Sequence, residues 1–73
     1  AGILDGDLAV IEQRQVAEDG EIIVAALEDT VTLKRFYKEK ARIRLEPDNP
    51  AYSPIFTQDV RILGKLRGIV RTY

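Results

Sequence analysis

Apolar and polar residues alternate along this chain in short stretches, and none sustains the 3.6-residue period of an amphipathic helix. Asp5-Gly6-Asp7 predicts a turn, because glycine accepts positive φ and aspartate bonds its own backbone. Leu8-Ala9-Val10-Ile11 follows as a short strand, apolar on both faces and therefore expected to be buried. Residues 13–18 are polar and end in Asp19-Gly20, a strong hairpin signal. Residues 21–27 form the most apolar segment and predict a central strand. Glu28-Asp29 turns into a β-branched strand over residues 30–37, and Lys38-Glu39-Lys40 reads as a charged hairpin tip.

Residues 41–45 alternate cleanly, with one apolar and one basic face. Pro47, Pro50 and Pro54 then exclude a regular ladder and predict an irregular loop, anchored by Tyr52, Ile55 and Phe56. In the last segment Val60, Ile62, Leu66 and Val70 occupy even positions and Arg61, Lys65, Arg67 and Arg71 odd ones. Gly64 and Gly68 mark places where a strand bends or another backbone comes close. Short strands joined by Gly and Pro turns predict a mostly β fold, a small and partly closed β-barrel-like domain.

Seventy-three residues make one domain at most, so residues 1–73 are expected to be a single domain fragment. A chain this short buries a modest core, and with no cysteine and no histidine it has no disulfide or zinc staple. A partner chain or a further piece of the same domain is therefore expected. The start at Ala1 and the lack of methionine predict a fragment or processed form. No cofactor and no metal are expected. The formal net charge of −1 argues against a generic nucleic-acid binder. No apolar run is long enough to cross a bilayer and no signal peptide is recognisable, which together with the absent cysteines fits a cytoplasmic protein.

Lys34 carries the most chemistry. A lysine held in an apolar strand loses hydration, which disfavours its charged form and moves it toward general-base behaviour. The usual partner of a lysine base is a serine nucleophile, and the one serine here, Ser53, falls in the proline loop. The plainer reading is an ordinary strand lysine with its ammonium in water. Asp5 and Asp7 fall short of a calcium loop and read as turn residues. The basic positions 61, 65, 67 and 71 suggest a phosphate-tracking stripe. Only Tyr73 supplies a stacking aromatic there, so a solvated strand face is the simpler account.

Five segments, in order, resemble the C-terminal domain of LexA-type SOS repressors. They are Asp5-Gly6-Asp7-Leu8, Asp19-Gly20-Glu21-Ile22-Ile23-Val24-Ala25, Val31-Thr32-Leu33-Lys34-Arg35-Phe36-Tyr37-Lys38-Glu39, Asn49-Pro50-Ala51-Tyr52-Ser53-Pro54-Ile55 and Ile62-Leu63-Gly64-Lys65-Leu66-Arg67-Gly68-Ile69-Val70-Arg71. The resemblance implies a self-cleaving peptidase with a serine-lysine dyad, in which Lys34 is the general base. The serine belongs to a Gly-x-Ser-Met motif expected a few residues before Ala1, so this chain carries the lysine and not the serine. The family cuts an Ala-Gly bond in its own linker when stimulated by the RecA filament, and contacts DNA only through an N-terminal domain. It dimerises through the C-terminal strand, which puts Gly68, Ile69 and Val70 near the contact. UmuD-like polymerase accessory proteins share the fold and dyad. A third reading is an inert β scaffold whose remaining role is self-association.

Overall fold

A computed structural model describes residues 5–71. Its strands are β1 (Leu8–Gln13), β2 (Ile22–Leu27), β3 (Thr30–Lys38), β4 (Ile43–Glu46), β5 (Ile55–Thr57) and β6 (Arg61–Val70). They form one antiparallel sheet in the order β1-β6-β2-β3-β4-β5. The mostly β expectation holds, but β1 and β5 remain as edges, so the sheet does not close into a barrel. No helix among the described residues is long and apolar enough to cross a membrane.

Local chemistry accounts for most of the connections. Gly6 and Gly20 both have φ of 86°, the left-handed region that glycine enters without a Cβ clash. Gly20 N–H donates to Phe36 O and Phe36 N–H donates to Glu21 O, both at 2.8 Å. Gly20 and Glu21 thus share one partner, a bulge that starts β2. Leu27 and Thr30 pair across the two-residue turn Glu28-Asp29, and Thr30 Oγ1 donates to Leu27 O at 3.1 Å. At the next tip, Glu39 N–H donates to Arg42 O at 2.9 Å, so β4 begins at Ile43 rather than at Ala41.

Residues directly opposite in an antiparallel pair share a face of the sheet. Ile23 and Ala25 of β2, Phe36 of β3 and Leu45 of β4 are buried on one face, with Ala17, Leu27, Ile43, Val60 and Ile62 packed around them. This is the core face. β2 is the central strand expected of the most apolar segment.

Two burial expectations need correction. Leu8, Val10 and Ile11 are 64%, 47% and 41% exposed. The reason is topological: β2 reaches along β6 only as far as Lys65, while β1 pairs with β6 out to Val70. Among the described residues, the far end is therefore a two-stranded ribbon with no third strand beside it. Tyr52, Ile55 and Phe56 are also exposed rather than anchoring. Asn49 holds the loop instead: its side-chain Oδ1 accepts from Ala51 N–H at 2.9 Å and its backbone O from Tyr52 N–H at 3.1 Å. The prolines stay out of the ladder as expected, but Ile55-Phe56-Thr57 re-enters it as β5, a strand the proline signals obscured. The Arg42 guanidinium lies 3.9 Å from the Phe56 ring centroid and shields that exposed aromatic.

β6 carries two bulges. Val24 and Ala25 pair with Gly64 and Ile62, leaving Leu63 extra, and Val10 and Ile11 pair with Gly68 and Leu66, leaving Arg67 extra. The even-odd alternation read from the sequence therefore breaks. Lys65 sits across from Ile23 on the core face, while Arg61 sits across from Ala26 on the other. Gly64 is where the backbones crowd: a Cβ there would lie 2.8 Å from Glu12 O and clash with Ile11 Cγ2.

Candidate functional site

The β-branched run around Thr32 makes β3 a strand, and the register puts Lys34 directly opposite Ile23. Lys34 therefore lies on the core face, between Thr32 and Phe36, rather than among the outward residues Val31, Leu33 and Arg35. It is half-buried. Among the described residues, no hydrogen bond or ion pair engages its amine. Lys34 also borders a groove of about 520 Å³, but that groove is walled mainly by residues of the opposite face, Ile22, Val31, Leu33, Arg35 and Glu46. Ser53 is exposed and does not line that groove.

A ladder of alternating charges crosses the core face. Arg67 Nε lies 3.4 Å from Glu12 Oε1, Glu12 also binds Arg14, and Arg14 NH1 lies 3.8 Å from Glu21 Oε2. Glu21 is bound by Lys65, and its Oε1 accepts from Glu18 N–H at 2.7 Å. The Lys65 hydrogen bond is the main reason the Glu21 carboxyl is held below its usual range; the Glu18 amide and the nearby Arg14 act in the same direction. Glu21 is the charged neighbour of this face that sequence reasoning missed. Only the bulge at Gly20 and the β2–β6 register bring it to Lys65.

The other charged positions are structural. Arg71 grips Asp7 through Nε to Oδ1 at 3.0 Å and NH2 to Oδ2 at 2.9 Å, and this raises the Arg71 guanidinium above its usual range. Asp7 thus closes the ribbon, and no group of three or more potential metal ligands occurs among the described residues. Glu39 binds Arg44 and Arg42 at 2.7 and 2.8 Å, Glu46 also binds Arg44, and Arg44 stacks 4.4 Å from the Tyr37 ring centroid. Arg44 is the main cause of the lowered Glu39 carboxyl, followed by Arg42. With carboxylates beside Lys65, Arg67 and Arg71, and Arg61 on the opposite face, the described residues form no uncompensated basic stripe for phosphates.

Gly68, Ile69 and Val70 lie in the ribbon, opposite Val10, Ala9 and Leu8. On the side away from β1, residues 66–70 pair with no other strand among the described residues. Val70 is 49% exposed.

The sequence model of the Peptidase S24-like family matches residues 1–67. This chain belongs to the Peptidase S24-like family. It is 59% identical over 73 residues to the LexA repressor of Clostridium perfringens (strain 13 / Type A), covering 100% of this chain and 36% of that one. The LexA repressor of Desulfitobacterium hafniense (strain Y51) is 56% identical over 71 residues, 97% of this chain and 35% of the relative. That of Leptospira interrogans serogroup Icterohaemorrhagiae serovar Lai (strain 56601) is 54% identical over 72 residues, 99% and 36%. The chain of this S24-like domain thus spans about a third of the length of the curated relatives it matches.

Proposed function

We propose that this chain is the C-terminal piece of a LexA-type repressor of the SOS response, a domain that cleaves its own polypeptide through a serine-lysine dyad with Lys34 as general base. The observation that carries the reading is the half-buried residue Lys34, on the core face opposite fully buried Ile23 and with its amine without a carboxylate partner among the described residues. A base of this kind needs an amine that no carboxylate claims, and the geometry at Lys34 meets that condition. The serine of a Gly-x-Ser-Met segment would supply the nucleophile, and backbone N–H groups beside it the oxyanion contacts. In this reading cleavage is triggered by the RecA filament, and DNA contact belongs to an N-terminal domain of a cytoplasmic regulator. The similarity to LexA repressors favours a repressor over a UmuD-like accessory protein.

The test is self-cleavage at alkaline pH of the polypeptide extended to include the serine segment and linker, followed by intact mass. Cleavage is expected with Lys34 and lost in Lys34→Ala. Undiminished cleavage in Lys34→Ala overturns the assignment.

A second role is favoured by a separate observation. The unclaimed edge of residues 66–70, flanked by exposed Leu8 and Val70, supports self-association with a second copy through β6. Ile69→Asp or Val70→Asp is expected to shift sedimentation toward monomer, with Lys34→Ala unchanged; dimers that survive both Asp variants rule this contact out.

A further inference from the structure

Glu21 stands between two lysines. Ile23 is flanked across the sheet by Lys65 on β6 and by Lys34 on β3, and Glu21 precedes Ile23 by two residues on the same face. Register therefore offers one carboxylate two ammonium groups, each a diagonal step away. Diagonal neighbours sit roughly 7–8 Å apart, within reach of long side chains. The carboxylate binds Lys65, with Arg14 at 3.8 Å as a second cation, and leaves Lys34 alone.

We propose that Lys65 is a positioning residue for Lys34: by holding Glu21, it keeps the nearest carboxylate on that face away from the Lys34 amine. The inference rests on the general-base reading of Lys34. The remaining charged neighbours do not substitute for Glu21. Arg35 turns to the other face and donates to Gly20 O at 2.6 Å. Glu46, paired with Arg35 and so on that other face, is bound by Arg44. Asp48, at the groove wall, has an interaction of its own, and Lys38 is a further cation two positions beyond Phe36. An opposite charge at contact distance favours the protonated form of an amine by about one to three pH units, and each unit is a tenfold loss of free base at a given pH. A single carboxylate moving from Lys65 to Lys34 would therefore silence the base without touching the nucleophile.

The experiment replaces Lys65 by Met in the serine-bearing polypeptide and records self-cleavage against pH. The rate at neutral pH is expected to fall about tenfold, with the profile displaced to higher pH and the alkaline maximum retained. Glu21→Gln in the Lys65→Met background, and Lys65→Arg, are each expected to return the profile toward the starting one. An undisplaced profile in Lys65→Met overturns the proposal, as does displacement that Glu21→Gln fails to reverse. In parallel, NMR titration of the Lys34 ε-methylene in the 73-residue chain reads the same coupling without any cleavage. If the starting protein never cleaves, the dyad reading fails. The NMR comparison of Lys65→Met with Lys65→Met/Glu21→Gln then still decides whether Glu21 moves to Lys34.

Discussion

Arg71 and Asp7, sixty-four residues apart in sequence, are joined by two parallel N–H···O bonds of 3.0 and 2.9 Å. The pair ties the turn before β1 to the end of β6, at the open end of a ribbon that no third strand supports. Such bidentate contacts fix geometry as well as adding attraction. Asp7→Asn is therefore expected to raise amide hydrogen exchange at Leu8, Val10 and Val70 several-fold while leaving Ile23, Ala25 and Phe36 unchanged. Uniform acceleration across the sheet would mean that the ribbon does not open separately from the core.

Gly64→Ala is expected to lower stability by roughly 1–3 kcal/mol in urea denaturation, because the new methyl meets the Glu12 carbonyl and Ile11 where the backbones approach. Gly68→Ala is the internal control. A Cβ there meets nothing within 4 Å, so its effect should stay within about 0.5 kcal/mol.

Glu28 has a φ of 51°, a left-handed conformation that an L side chain enters at a cost. Glu28→Gly removes that cost and returns part of it as unfolded-chain entropy. A net stabilisation of roughly 0.5–1 kcal/mol is expected from thermal or urea unfolding, and a loss of stability would show that the Glu28 side chain contributes to the turn.

Acid should weaken the fold through two carboxylates. Glu21, bound chiefly by Lys65, and Glu39, bound chiefly by Arg44, are both held below the ordinary glutamate value of 4.5. A folded value below the unfolded one means that the contribution is fully present above the unfolded value and disappears as pH falls through the folded one. The urea midpoint is therefore expected to be flat above about pH 5.5 and to decline below pH 4.5. Glu21→Gln/Glu39→Gln should flatten that decline. An equally steep acid limb in the double variant would assign it to other groups.

What could be read from the sequence was whatever depends on neighbours in the chain. The β-branched run at residues 30–37 became β3, and the apolar run at 21–27 became the central β2. Gly64 and Gly68 were both legible as a bend or a close approach; the close approach occurs at Gly64, while a Cβ at Gly68 meets nothing within 4 Å. What escaped depends on which strand lies beside which. Leu8 and Val10 look like core residues until β1 proves to be an edge strand on an unsupported ribbon. Phe56 looks like an anchor until Arg42 covers it from outside. Lys34 was legible as a candidate from its own run. Its relation to Glu21 and Lys65 was not, because it requires the order β6-β2-β3 and a bulge at Gly20.

The extra residues Leu63 and Arg67 also determine where β6 can change length. Loss of Leu63 would leave the β2 pairings on both sides of it intact, and loss of Arg67 the β1 pairings, since each is the extra residue against that strand. Insertions and deletions accumulating in this strand across relatives should therefore cluster at positions 63 and 67, with the segments between them conserved in length.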